Sequence, residues 1–393
     1  SGTVKVVAAE NCYSVGDILF TDGTRIKAEN VQYGLPSGKN AFAVIVSTSY
    51  GGGVGKAVGL QRSASTLVWA QDGTTGYNTN FTGIQATRSG DNSSGYTFSG
   101  DIDGSDNWEY ICSIDPEGTK DAATNYPAFN FALTYGTQAG LTGTEYETGW
   151  YVPSVAELYD VYTNKEVVQT SLNAAGGFTL GTSYYWSSSQ YASYSGNAYQ
   201  VDCNDGYVGY NRKYFDYNVF VLQAFNAEQF NNYEYTTEIS SVEIPAIREG
   251  FVGEVPVTIK GKDLIQEITI SGLTISTVDY ISDAKAIAYA TTTGTETDGT
   301  TITVSCGTSS KTGTLKVVST EKCFSVGDII LTDGTKVSVA DVSTYTIDES
   351  NKPIGVVTSA PYGGATGKAI GLQQRYYLVW AKGGTTGYNT NFI

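Results

Sequence analysis

The feature that most constrains how this chain can fold is an internal repeat. Residues 4–26, VKVVAAENCYSVGDILFTDGTRI, return at 315–337 as LKVVSTEKCFSVGDIILTDGTKV, with 14 of 23 positions identical. The segment GTTGYNTNF at 73–81 returns unchanged at 384–392, which gives a period of 311 residues. Self-similarity at a fixed offset indicates tandem modules. We therefore expect one full period and the opening of the next, as in a piece of a longer repeat protein; a short domain used twice is the alternative.

Within one period, the composition and the apolar pattern of the sequence change near residue 230. The first part is rich in Gly, Tyr and Trp, whereas short apolar runs later recur between turn residues at 8–12-residue spacing, which predicts an antiparallel sandwich. The expected strands of that sandwich are VEIPAI, GEVPVTIKG, QEITISGL, AKAIAYAT, TTITVSC and GTLKVV. The predicted organisation is the last strand of a preceding sandwich at 1–9, a large domain at 10–228, a linker at 229–240, the sandwich at 241–318 and the truncated start of a second large domain at 319–393.

The large domain has the signals of a mixed α+β fold. Ser154 and Glu157 form an S-x-x-E capping box before an apolar stripe, which predicts a helix. We expect a second helix at 166–175 and a third at 125–136 with Asn125 as its cap. Short strands follow, at 184–190, 197–203, 206–212 and 218–225, with Asn204-Asp205-Gly206 as the turn between two of them.

Composition and charge exclude several function classes. The chain has 23 basic and 39 acidic side chains, a net charge of −16, and this balance argues against a nucleic-acid partner. It has no histidine, which removes Ser-His-Asp and Cys-His catalysis and His-ligated zinc. No apolar run is long enough for a transmembrane helix. These features favour a non-catalytic binding or structural protein, secreted or on the cell surface.

Several separate motifs resemble one family. The run GWYVPSVAELYDVYTNKEVVQTSLNAAGG, followed by YYWSSSQ and VLQAF, resembles bacterial surface domains with the C-type lectin fold, as do CYSVGDILFTDGT and GKAVGLQ…LVWA. The subtype is that of formylglycine-generating enzyme and of the variable proteins of diversity-generating retroelements. Residues 241–318 resemble an Ig-like, transcription-factor-type module through VPVTIKGKDL. The resemblance implies an α+β lectin-like domain that alternates with all-β Ig-like sandwiches in tandem repeat.

The resemblance also bears on activity. Calcium-dependent sugar-binding lectins use Glu-Pro-Asn or Gln-Pro-Asp with Trp-Asn-Asp, and none of these tripeptides occurs in this sequence. The enzyme branch uses a cysteine pair, which Cys12, Cys112 and Cys203 do not supply in a matching pattern. Because the sequence departs from these patterns, we expect no catalytic residue and no cofactor, with a calcium ion as the alternative.

A tyrosine-rich segment at 190–220 is the candidate binding surface. It reads QYASYSGNAYQVDCNDGYVGYNRKYFDYNVF. One interpretation is that these tyrosines pack in a core; the other is that they form a contact surface, since Tyr with Ser, Gly and Asn is the composition of antibody loops. The predicted ligand-binding residues are Tyr191, Tyr194, Asp202, Asn204, Asp205, Tyr207, Tyr210, Asn211, Arg212, Tyr214, Phe215, Asp216, Tyr217 and Phe220.

In the retroelement family, the corresponding stretch is diversified by adenine-directed mutation. The residue types at 202–220 fit that process, with Val208, Lys213 and Val219 as framework. Diversification of this chain is a hypothesis that comparison of its coding region with a template repeat would decide.

Cysteines and acidic residues give two further hypotheses. The five cysteines lack CxxC spacing and are either buried free thiols or include one disulfide per repeat, for which we predict Cys12 with Cys112. Asp101, Asp103 and Asp106 lie in DIDGSDNWE, which is either a solvated turn or a calcium site.

The sequence thus predicts an extracellular or bacterial cell-surface repeat protein that binds a protein or glycan ligand, or neighbouring copies of itself, through residues 191–220. The alternative is a structural fibre or stalk built of stacked repeats.

Overall fold

A computed structural model describes residues 6–181 and 183–372. The chain divides into two compact units, residues 1–236 and 237–393, and the division falls inside the predicted linker. The repeated segments LVWA and GTTGYNTNF of the second copy lie outside the described residues. Both units are rich in β-structure, and helices occur mainly in the first, so the architecture is multidomain and α+β.

The first unit contains thirteen of the strands that the structure describes. They are β1 (Ile18–Phe20), β2 (Thr24–Ile26), β3 (Ala41–Ser49), β4 (Val54–Gly59), β5 (Leu67–Val68), β6 (Gln85–Asp91), β7 (Gly95–Gly100), β8 (Tyr184–Tyr191), β9 (Asn197–Asp202), β10 (Val208–Arg212), β11 (Asp216–Tyr217), β12 (Leu222–Asn226) and β13 (Asn231–Asn232). They form a six-stranded sheet in the order β12-β4-β3-β1-β2-β13, a five-stranded sheet in the order β10-β9-β8-β6-β7, and the pair β11-β5.

The helices of this unit lie between β5 and β8 in sequence. They are α1 (Thr75–Asn78), α2 (Asn107–Ile114), α3 (Ala122–Asn125), α4 (Pro127–Gln138), α5 (Val155–Thr163) and α6 (Lys165–Ala174). The capping box predicted for α5 is present, with both the Ser154 and the Glu157 hydrogen bonds formed. Asn125 does not cap α4, because it ends α3, and Tyr126 occupies the cap position without a side-chain bond.

The five-stranded sheet carries the tyrosine-rich segment and has apolar cores on both faces. Side chains alternate between the faces of a strand. Trp186 and Ala198 accordingly pack into one core, and Tyr185, Tyr199 and Val201 pack into the other. Because both faces of β8 and β9 are covered, the solvent-exposed tyrosines gather around β10, which is an edge strand.

The second unit begins with two packed sheets. Its strands are β14 (Glu238–Glu243), β15 (Ile247–Arg248), β16 (Val252–Lys262), β17 (Ile268–Ser271), β18 (Thr274–Ser282), β19 (Lys285–Thr293), β20 (Thr301–Cys306), β21 (Ser309–Thr314) and β22 (Val317–Val318). The sheets have the orders β14-β16-β19-β18 and β17-β20-β21, and β15 pairs with β22. Strands β18 and β21 were not predicted, because turn residues interrupt the apolar pattern there.

The second copy of the repeat follows and rebuilds the sheet order of the first. Its strands are β23 (Ile329–Leu331), β24 (Lys336–Val337), β25 (Pro353–Ser359) and β26 (Lys368–Gly371). Their order, β24-β23-β25-β26, corresponds to β2-β1-β3-β4 of the first copy. The repeated sequence therefore folds the same way twice.

No helix in residues 6–181 and 183–372 has the length and apolar character needed to cross a bilayer.

Candidate functional site

The residues predicted to bind a ligand differ in their exposure to solvent. The exposed residues are Tyr194, Asn204, Asp205, Tyr207, Tyr210, Arg212, Phe215 and Asp216. The half-buried residues are Tyr191, Asp202, Asn211, Tyr214 and Tyr217. Phe220 is buried.

A first group, which we call the Tyr191 cluster, consists of Tyr191, Tyr194 and Tyr210. The rings of Tyr191 and Tyr210 stack with centroids 3.8 Å apart and planes 5° apart. Tyr194 is 63% exposed, and its ring centroid lies 6.1 Å from that of Tyr191. Buried Tyr199 supports the stack from below, with its ring edge-on to Tyr191 at 5.5 Å. Hydrogen bonding with Tyr191 raises the pKa of Tyr210.

Arg88 on β6 adds a positive charge beside this cluster. Its guanidinium carbon lies 5.3 Å from the ring centroid of Tyr96 and 5.8 Å from that of Tyr207, within cation–π distance. Its Nη1 atom is buried and has no hydrogen-bond partner among the described residues. The sequence gives no signal for Arg88, because it lies more than a hundred residues before Tyr207.

A second group, the Tyr217 cluster, consists of Tyr184, Asn211 and Tyr217. Asn211 Nδ2 donates to Tyr217 Oη at 2.7 Å, and the Tyr217 ring packs edge-on to Trp186 at 4.8 Å and lies 5.5 Å from Tyr184. Asn211 pairs across the sheet with Ala198, whereas Tyr210 pairs with Tyr199. The strand pleat therefore puts the Tyr191 and Tyr217 clusters on opposite faces of β10. Side chains two residues apart on a strand lie on the same face, so Trp186 in β8 could have indicated Tyr184 from the sequence alone.

A third group, the Tyr214 cluster, consists of Tyr77, Arg212, Tyr214 and Phe215. Arg212 Nη1 donates to Tyr214 Oη at 3.1 Å, and this bond raises the pKa of Arg212. The Tyr214 ring lies 5.5 Å from Tyr77 and 5.1 Å from Phe215. We call the three clusters, together with Tyr207 and Arg88, the tyrosine ridge.

Lys213 anchors the ridge from inside. Its Nζ donates to Gln190 Oε1 at 2.8 Å and to the carbonyls of Gly76 and Thr79, and it lies 4.5 Å from the Trp69 ring. Burial lowers the pKa of Lys213 to about 7. Val208 and Val219 are also fully buried, so the three residues predicted as framework occupy framework positions.

The hairpin between β9 and β10 is held by bonds within the domain. Asp202 Oδ1 accepts from the Asn204 amide at 2.8 Å, and Asp205 Oδ1 accepts from the Tyr207 amide at 2.9 Å. Lys165 Nζ donates to the Asn204 carbonyl at 2.7 Å, which ties the turn to α6. The carboxylates of Asp202 and Asp205 thus shape the turn that presents Tyr207.

Two predicted assignments are corrected by the structure. Phe220 is not a surface residue, because it is only 1% exposed and packs 5.0 Å from Tyr185 and 5.8 Å from Phe178. The predicted Cys12–Cys112 disulfide is wrong: all five cysteines are described and are free thiols. Cys12 lines a groove beside Tyr50, whereas Cys112 lies in α2, so the two thiols occupy different environments.

Asp101, Asp103 and Asp106 do not gather into a calcium site. Asp101 is buried and accepts bonds from Asn107 and Ser189, and burial raises its pKa to about 6. Asp103 instead forms an ion pair with Lys56, whose Nζ lies 3.5 Å from Asp103 Oδ1. Among the described residues, no group of three or more metal-ligating side chains forms. The segment DIDGSDNWE is thus a turn that leads into α2.

Comparison with known proteins adds little to this geometry. Neither a scan against protein-family models nor a search of the curated proteins finds a match. A fimbrial protein from Bacteroides ovatus is similar in structure at 16% identity and a TM-score of 0.37, over 53% of this chain and 48% of that chain. The chain thus spans about half the length of that structure. A likeness at this level assigns no function.

Proposed function

We propose that this chain belongs to an extracellular or bacterial cell-surface adhesion protein that binds a ligand through the tyrosine ridge and performs no catalysis. In this proposal, residues 10–228 form a lectin-like domain and residues 241–318 an Ig-like spacer. The observation that carries it is the contrast within one short segment: Tyr194, Tyr207, Tyr210 and Phe215 are 39–63% exposed, whereas Tyr199, Val208 and Lys213 between them are buried.

Physical chemistry supports this role for the ridge. Exposed aromatic rings offer large contact areas, and their two rotatable bonds cost little entropy when a partner fixes them. Stacking of Tyr191 on Tyr210 and the bond from Asn211 to Tyr217 hold these rings in place before a ligand arrives. Such preorganisation lowers the free-energy cost of binding. Arg88 and Arg212 add cations, which are frequent at binding hot spots.

The shape of the surface favours a protein as the ligand. The Tyr191 and Tyr217 clusters flank an edge strand on its two faces, so they form a ridge rather than a cleft. A ridge contacts a partner over an extended area, as in protein–protein interfaces, whereas small molecules are usually bound in concave sites. A glycan ligand is the outcome that the test below would distinguish.

The framework and contact positions also suit the diversification hypothesis. Buried Val208, Lys213 and Val219 stay constant in that scheme, while exposed neighbours vary without loss of the fold. Comparison of the coding region with a template repeat tests this part independently of any ligand.

The experiment probes arrays of purified proteins and of glycans with the labelled chain and two variants. Tyr210→Ala and Tyr214→Ala should each weaken binding to a protein feature by about 30-fold or more, as hot-spot truncations do. Because both rings are partly exposed, the free energy of unfolding should fall by at most about 1 kcal/mol. Tyr199→Ala is the core control and should cost about 3–5 kcal/mol.

Binding confined to the glycan array would contradict the choice of a protein ligand. If array binding is unaffected by both ridge variants, or if either variant unfolds the domain as Tyr199→Ala does, the ridge is not the binding surface.

A structural fibre or stalk is the second candidate. It is favoured by the repeated Tyr-Gly-Gly corner at residues 50–52 and 362–364, since Tyr362 packs on Phe251 whereas Tyr50 is exposed.

A further inference from the structure

Each copy of the repeat contains a corner with an unusual backbone. Tyr50, Gly51 and Gly52 have φ values of 51°, 65° and 89°, and their counterparts Tyr362, Gly363 and Gly364 have φ values of 54°, 70° and 86°. A tyrosine at positive φ is strained, and such residues persist where they serve a contact. Both copies therefore place a tyrosine on the same strained corner.

In the second copy, the sandwich covers this ring. Tyr362 packs edge-on to Phe251 with ring centroids 6.3 Å apart, and it joins the apolar cluster built around Ile247 and Leu315. A Cβ atom added to Gly363 would lie 2.8 Å from the Arg248 Cβ, so the sandwich lies directly on the corner.

A strand pairing extends the same contact. Val317–Val318 pairs in parallel with Ile247–Arg248, through bonds from the Ile247 amide to the Lys316 carbonyl and from the Glu249 amide to the Val318 carbonyl, both 2.9 Å. The chain runs without a break from β21 into this strand and on into the repeat. The covering sandwich is thus the module whose last strand enters the repeat.

In the first copy, none of the described residues covers the same surface. Tyr50 is 90% exposed and Val6, the counterpart of Val317, is 87% exposed. Val6 and Val7, the first residues that the structure describes, belong to no strand. A Cβ atom on Gly51 would meet no described atom within 4 Å. These residues and Cys12 line a groove of about 700 Å³.

We propose that this groove is the docking site of a further β-sandwich module of the 237–318 kind, which precedes this repeat in the same polypeptide and whose chain continues into Val6. Its counterparts of Ile247 and Arg248 pair with Val6–Val7, and its counterpart of Phe251 packs on Tyr50. A second copy of this chain does not serve, because its own sandwich already uses that surface to hold Tyr362. This inference stands apart from the ligand proposed for the tyrosine ridge.

The test adds the module and measures the exposure of Cys12. Residues 237–314 are placed ahead of residues 4–393, so that Val4 takes the position of Leu315. Native chains are labelled with iodoacetamide, and each cysteine is quantified by mass spectrometry. Cys12 is half-buried in the present chain, whereas its counterpart Cys323 is 7% exposed and close to Arg248. In the tandem chain, labelling of Cys12 should slow at least about tenfold, toward the rate of Cys323.

Controls are built into the tandem chain. The added module carries a second Cys306, which is fully buried when the sandwich is folded. A tandem chain with Tyr50→Ala and with Phe251→Ala in the added module only should lose the protection of Cys12 and keep that of Cys306.

Three results would overturn the proposal. One is rapid labelling of Cys12 while both Cys306 residues stay protected. Another is rapid labelling of half of the Cys306 thiols, since the added module would then not be folded at the groove as the second module is at Tyr362. The third is protection of Cys12 in the original chain that grows with protein concentration, which would make a second copy the occupant.

Discussion

Two exposed aromatic surfaces of residues 6–236 are built in different ways. In the tyrosine ridge, rings support one another, as in the 3.8 Å stack of Tyr191 on Tyr210, and rest on a buried framework. At the groove, Tyr50 stands alone at 90% exposure on a strained corner, beside Val6 and Gly51. The ridge is organised before any partner arrives, whereas the groove lacks the packing that its counterpart has.

The two surfaces show that the role of an exposed surface in a repeat protein must be identified from its contacts. Exposure alone does not distinguish a ligand-binding surface from an interface between modules. The second copy supplies the missing information at the groove, because Tyr362 is covered there by Phe251. For the ridge, the described part of the second copy ends before the corresponding residues, so only the packing within the first copy bears on its role.

The largest expected difference between the two corners comes from alanine substitution of a matched pair of glycines, Gly363 and Gly51. Gly363→Ala should lower the free energy of unfolding of the second unit by about 2–4 kcal/mol, since the new methyl group costs strain at positive φ and also meets Arg248. Gly51→Ala should cost the first unit only the strain, about 1–2 kcal/mol. Denaturation monitored by hydrogen-exchange mass spectrometry measures the free energy of unfolding of each unit separately. Equal costs at the two glycines would show that the sandwich does not bear on the second corner.

A smaller effect concerns the framework under the ridge. Because burial lowers the pKa of Lys213 from 10.5 to about 7, the unfolded chain binds more protons than the folded chain between these values. The free energy of unfolding should therefore rise with pH above about 7, by at most about 1.4 kcal/mol per pH unit from this group, and should lose that slope below pH 7. Lys213→Met is the control variant and should lack the slope between pH 7 and 9.

Urea denaturation at several pH values measures this slope. An identical slope in wild type and Lys213→Met would mean that Lys213 is hydrated in the folded state and does not anchor the ridge from a dry interior.

Local signals in the sequence predicted much of the fold. The capping box at Ser154 and Glu157 gave the start of α5, and Asn204-Asp205-Gly206 gave the hairpin, because each signal acts through bonds between residues close in sequence. The framework positions Val208, Lys213 and Val219 were also predicted, because they are the residue types in 202–220 that adenine-directed mutation would not supply, and all three are buried.

Long-range contacts account for what was missed. The pleat of β10 divides the predicted surface in two, and only the pairing of Tyr210 with Tyr199 shows which residues share a face. Arg88 reaches the ridge from a distant strand. Phe220 has the same residue type as exposed Phe215, yet packing against Tyr185 buries it. The Cys12–Cys112 pairing failed for the same reason, because sequence position does not give the environment of a thiol.

One measurement tests the central claim that the two aromatic surfaces serve different contacts. Hydrogen exchange is compared by mass spectrometry between the original chain and the tandem chain with residues 237–314 added before residue 4. We predict that amides at 6–7 and 50–54 gain protection in the tandem chain, while amides at 207–217 exchange at unchanged rates. Protection gained at 207–217, or none gained at 50–54, would contradict the account.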